Sequence, residues 1–74
     1  MENIFKDNLF KSRNRKNLSQ RTFIIEFNKF SSISISKSAL ASWERGEFYP
    51  TVVVYKNICD FFGYDMDTFF TKKV

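Results

Sequence analysis

The sequence has 74 residues, and 12 Lys and Arg against 8 Asp and Glu leave a net charge of +4. That length predicts one domain over 1–74, with a core over about 4–70, and no second ligand, catalytic or oligomerisation domain. A single cysteine, Cys59, and no histidine exclude an internal disulfide and the usual zinc site.

The apolar spacing is helical nearly throughout. A first helix is predicted from about Ile4 to Lys16. Phe5 and Leu9 share a face, the basic residues load its middle and C-terminal end, and Asn17 takes the left-handed position past its end. Ser19 is the N-cap of a second helix, with Leu18 and Phe23 as a hydrophobic staple. Phe23, Ile24, Phe27 and Phe30 then recur at helical spacing, so this helix runs to about Phe30. The alternation Ser32-Ile33-Ser34-Ile35-Ser36 has no second strand to pair with, and Ser31 to Ile35 reads as a loop. Ser36 is the N-cap of a third helix through Leu40 and Trp43 to Arg45, and Gly46 stops it. After a turn at Glu47 to Pro50, Thr51 caps a fourth helix from Val52 to Phe62, closed by Gly63. Asp65 caps a short fifth helix from Met66 to about Phe70. The expected fold is therefore all-α, with five short helices.

Fourteen aromatic residues, 19% of the chain, must supply a core that no disulfide or metal supports. Trp43 and Cys59 are read as core. One ring each of Phe61-Phe62 and Phe69-Phe70 is expected to face outward and form a seam between two copies. The charge is uneven. Residues 1–46 hold nine basic and four acidic residues, whereas residues 47–74 hold three and four. A basic N-terminal portion fits an anionic partner such as a phosphate backbone.

Several function classes lack their parts. With no histidine and no glycine-rich loop, neither general acid–base catalysis nor nucleotide binding is expected, so the chain is read as no enzyme, without cofactor or small-molecule ligand. Asp60, Asp65 and Asp67 lack the glycine turn and terminal glutamate of a calcium loop. No apolar run approaches the roughly 18–20 residues that span a bilayer. The opening Met1-Glu2-Asn3 is not a signal peptide, so the chain is expected in the cytoplasm, away from membranes.

The order Leu18-Ser19-Gln20, Trp43-Glu44-Arg45-Gly46, Pro50, Phe61-Phe62-Gly63 and Phe69-Phe70 resembles the lambda-repressor-like helix-turn-helix family, of the Cro/CI or XRE type. The resemblance covers about Phe5 to Phe70. It implies a five-helix DNA-binding domain whose second helix crosses the DNA backbone while the third enters the major groove. It implies base contacts from Lys37, Ser38 and Ser42, and phosphate contacts from Ser19, Gln20, Ser36 and Arg45. Arg13 and Glu44 occupy the positions of the family's structural ion pair. The partner implied is double-stranded operator DNA, bound by a homodimer on a two-fold site.

Three departures stand out. The segment between "LSQ" and "WERG" is longer than the common pattern, a variant found among phage-type regulators of low-GC Gram-positive bacteria with an "FNKF" segment like Phe27-Asn28-Lys29-Phe30. The third helix offers only Lys37 as a long donor at its reading end, and Ser12 replaces an apolar residue on the first helix. The resemblance therefore implies a small phage or prophage regulator in a lysis–lysogeny type of switch. The alternative on the same fold is a modulator of repression, an antirepressor or an antitoxin-like module that binds a partner phage repressor rather than DNA.

Overall fold

A computed structural model describes residues 3–74; the expectation for the opening Met1-Glu2 lies outside them. The chain forms α1 (Ile4–Arg15), α2 (Gln20–Ser31), α3 (Lys37–Arg45), α4 (Val52–Phe62) and α5 (Met66–Thr71). No strand occurs among the described residues, and Ser32 to Ser36 is an irregular connection. No helix among them is long and apolar enough to cross a membrane.

Local chemistry explains the boundaries. Asn3 caps α1, its side-chain oxygen accepting from the Lys6 amide at 3.0 Å. Helix α1 stops at Arg15 because Asn17 turns left-handed (φ 58°), so the Leu18 amide reaches back to the Arg13 carbonyl at 3.1 Å. The same backbone closure ends α3 at Gly46 (φ 79°) and α4 at Gly63 (φ 81°). At Gly46 a Cβ would also come within 3.0 Å of the Lys6 side chain, so two constraints select glycine there. The hydroxyls of Ser19 and Ser36 accept from the amides of Thr22 and Ala39, each at 3.1 Å.

Thr51 and Asp65 occupy N-cap positions with extended backbone, but neither side chain makes the expected capping bond. Both residues are exposed, so water can serve the free amides of these helix starts. Helix α2 continues to Ser31, one residue beyond the expected end, and the left-handed Ser32 (φ 61°) then breaks it. Polar side chains of α2 hold the connection to α3. Ser31 Oγ donates to the Phe27 carbonyl and accepts from the Ile33 amide, and Asn28 Oδ1 accepts from the Ile35 amide at 3.1 Å.

The core draws on every helix: Phe5 and Leu9, Phe23 and Phe27, Leu40 and Trp43, Ile58 and Cys59, and Phe69. Rings form its spine. Phe27, Phe23, Phe62, Phe69 and Phe5 lie in succession with centroids 5.5, 5.6, 6.1 and 5.9 Å apart, linking α2 through α4 and α5 to α1. Phe69 is buried and Phe70 exposed, but Phe61 and Phe62 are both half-buried. Neither faces fully outward, because Phe61 meets the edges of Phe23, Phe27 and Phe30 while Phe62 stacks between Phe23 and Phe69.

Two polar residues of α1 are buried with these rings. Asn8 donates to the carbonyls of Phe69 (2.8 Å) and Lys72 (2.7 Å) and accepts from the Val74 amide (3.0 Å), closing the end of α5. Ser12, 3% exposed, has a hydroxyl with no hydrogen-bond partner among the described residues.

Candidate functional site

Helices α1, α2 and α3 meet at one buried charge. Arg13 donates to both Glu44 oxygens, from Nε at 2.8 Å and Nη2 at 2.9 Å, and its Nη1 donates to the Leu18 carbonyl at 2.7 Å. Gln20 Nε2 donates a third hydrogen bond to Glu44, at 3.1 Å. Less than a tenth of either charged side chain is exposed. A buried pair of this kind costs desolvation, and removing one partner leaves an uncompensated charge. Its action is geometric: it sets the start of α2 against the end of α3. Gln20 thus has a fixed neighbour 24 residues along the chain, and one of its two side-chain N–H donors is already spent on Glu44.

The outer face of α3 begins with Ser36, Lys37 and Ser38, all exposed, followed by half-buried Ala41. Lys37 makes no ion pair with any described residue. The Ser36 oxygen accepts the cap bond, leaving its O–H to donate outward. Ser19, at the start of α2, is exposed but occupied: its oxygen accepts from the Thr22 amide and shares a 2.8 Å hydrogen bond with the Thr22 hydroxyl.

Ser42 departs from its expected base-reading role. It is 9% exposed, and its hydroxyl donates to the Ala39 carbonyl at 2.7 Å. Helical period places it one turn beyond exposed Ser38, but packing buries it and turns its hydroxyl onto the backbone of α3. Arg45 is exposed at the end of α3, but its guanidinium holds Glu47 through Nε (3.0 Å) and Nη2 (2.7 Å). These bonds, and the charge behind them, hold the Glu47 carboxyl below the usual carboxylate range. Any phosphate at Arg45 competes with Glu47, a neighbour that helix-based reading of the site passes over.

The chain also carries a basic stretch from α1 into α2. Residues 8–25 contain five Lys and Arg and no Asp or Glu. Arg13 is consumed by Glu44, while Lys11, Arg15, Lys16 and Arg21 are exposed. Arg15 also donates to the Val74 carbonyl at 2.8 Å.

Among the described residues no three His, Cys, Asp or Glu side chains converge as metal ligands. Burial pushes the Cys59 thiol up, and the Tyr55 hydroxyl likewise, so both stay neutral near pH 7. Tyr55 spends its proton on the Met66 carbonyl.

No family model matches the chain, and no curated protein or solved structure gives a significant match. The class of the molecule is therefore defined by its own architecture, an all-α fold of five helices.

Proposed function

We propose that this chain is a small regulator of the phage type, which binds double-stranded DNA by a helix-turn-helix formed from α2 and α3. The observation that carries the reading is the first turn of α3, where Ser36, Lys37 and Ser38 are exposed and Lys37 is unpaired among the described residues. In the major groove the Lys37 ammonium donates to guanine O6 and N7, and the Ser38 hydroxyl pairs with a neighbouring base edge. The Ser36 hydroxyl, the free amides at the start of α2 and the exposed cations Lys11, Lys16 and Arg21 take phosphates and set the register. The Arg13–Glu44–Gln20 link holds the two helices as one unit. Acting in the bacterial cytoplasm, such a protein regulates by occupying its operator.

A second reading, docking on a partner repressor, is favoured by one observation. Ser42 is turned inward and Arg45 is tied to Glu47, so few side chains remain to read bases.

A gel-shift titration on DNA flanking the protein's own gene, with and without the neighbouring gene product, separates the two. The DNA-binding reading expects a shift by the chain alone, weakened steeply by salt and by Lys37→Ala, which removes a contact worth roughly 1–3 kcal/mol. No shift alone, with release of the neighbour's complex, establishes the second reading instead.

A further inference from the structure

Helix α3 offers only part of its surface to a partner. Leu40 and Trp43 are buried in the core, and Ala39 packs against it. Ser42 is buried, and its hydroxyl is spent on the Ala39 carbonyl. The Glu44 carboxylate is held by Arg13 and Gln20. The outer side is left to Lys37, Ser38, Ala41 and Arg45. Ala41 lies four residues after Lys37 and three after Ser38, so it shares their face. Arg45, one turn further on, is engaged by Glu47. Beyond its first turn, therefore, this face ends in a single methyl group before the Arg45–Glu47 pair.

We infer that Ala41 is a specificity-determining residue, whose methyl group reads the C5-methyl of a thymine close to the base pair contacted by Lys37. The inference rests on the DNA-binding reading and names a base pair which that reading leaves open. In the major groove every base edge carries hydrogen-bonding atoms, but thymine alone adds an apolar group. An alanine side chain neither donates nor accepts. Pressed against guanine, cytosine or adenine, it takes water from polar atoms and gives no hydrogen bond in return, which is unfavourable. Against thymine it buries one methyl group on another.

The geometry sets the spacing. Ser38 and Ala41 are short, so the α3 backbone can approach the bases closely. At 1.5 Å per residue Ala41 lies about 6 Å along the helix from Lys37, and neighbouring base pairs are about 3.4 Å apart. The thymine is expected one or two base pairs from the guanine that Lys37 reads. A free hydroxyl at Ser42 would accept several bases. With Ser42 turned inward, Ala41 narrows the choice to one.

Selection of duplexes from a random-sequence library by the full chain, followed by affinity measurements on the winning duplex, tests this. The winner is expected to carry a guanine with a thymine one or two base pairs away. Replacing that thymine by uracil removes only the C5-methyl. It is expected to weaken binding about fourfold, the worth of burying one methyl group. Ala41→Gly removes the other methyl, so the same replacement is expected to change its affinity by less than about 1.5-fold. Comparing thymine with uracil within each protein cancels any loss of helix stability that the glycine causes. Ser42→Ala is the control and keeps the full discrimination. A winning duplex without thymine at that place, or indifferent to uracil there, overturns the inference and leaves the DNA-binding reading standing. So does a uracil effect that Ala41→Gly leaves intact, or one that Ser42→Ala abolishes. A selection that enriches no sequence overturns the DNA-binding reading, and the inference falls with it. The uracil measurement on the wild-type chain decides alone should Ala41→Gly fail to fold.

Discussion

The α2–α3 side and the α4–α5 side of this protein are held together by different physics. Between α2 and α3 the organising contact is a buried carboxylate with three donors, and the surface above it is polar and basic. Between α4 and α5 the organising contacts are rings, and exposed Val52, Val53 and Phe70 add apolar side chains to the surface. A core of this size supplies only about 3–5 kcal/mol, so it cannot spread both kinds of contact everywhere. The polar link specifies one relative placement of two helices. The rings supply the favourable burial that offsets the desolvation of that link.

Breaking each side sharpens the contrast. Glu44→Ala is expected to have the largest effect. It strands the Arg13 charge and frees Gln20, costs about 3–5 kcal/mol and leaves the chain largely unfolded at 25 °C. Replacing both partners, Arg13→Met with Glu44→Leu, is expected to recover much of that loss, because no charge is left buried. Thermal melts of the single and double variants show whether the cost is the stranded charge or the lost packing.

Asn8→Ala acts on the junction of α1 with α5. It leaves two carbonyls and one amide without their partner, and about 2–3 kcal/mol of destabilisation follows. Amide hydrogen exchange is expected to rise in α5 before α2 or α3. Uniform loss of protection would mean that the two sides are not separable. Ser12→Ala goes the other way. It removes a buried hydroxyl that has no partner and introduces a better helix former, so the melting midpoint should rise by the equivalent of about 1 kcal/mol.

The smallest effect concerns Glu47. Its carboxyl is held below the usual range by Arg45, so its stabilising contribution is present above the unfolded-state value and fades as pH falls through the folded value. Both side chains are about half exposed, so salt and solvent screening keep the contribution small. Glu47→Gln is expected to leave the melting curve nearly unchanged near pH 7 and to flatten its acid limb slightly. It also releases Arg45, so DNA affinity in the gel shift should increase if Arg45 meets phosphate.

Much of the fold was legible because its signals are local. The Ser19 and Ser36 caps, the left-handed Asn17, Gly46 and Gly63, and the Phe5/Leu9 and Phe23/Phe27 spacings each involve residues within a turn or two of one another. Those signals defined the number, type and order of the helices, and α4 runs from Val52 to Phe62 as its spacing predicts. The same reasoning failed where solvent competes, since Thr51 and Asp65 carry capping residues that form no cap.

The candidate site was legible only in outline. Periodicity placed Lys37 and Ser38 on an exposed turn, but it put Ser42 on the same face, and packing turned that hydroxyl inward. The Gln20–Glu44 bond, the Arg45–Glu47 pair and the Asn8 clamp on the end of α5 depend on which rotamers the neighbouring helices leave open. By itself the sequence determined the helices, their ends and which residues are apolar. Tertiary structure alone decided which polar groups are consumed inside the fold and which remain for a partner. The Arg13–Glu44 pair was expected from the family resemblance, but helix signals act within a few residues, and Asn8 finds Phe69 and Gln20 finds Glu44 only after the chain has folded back on itself.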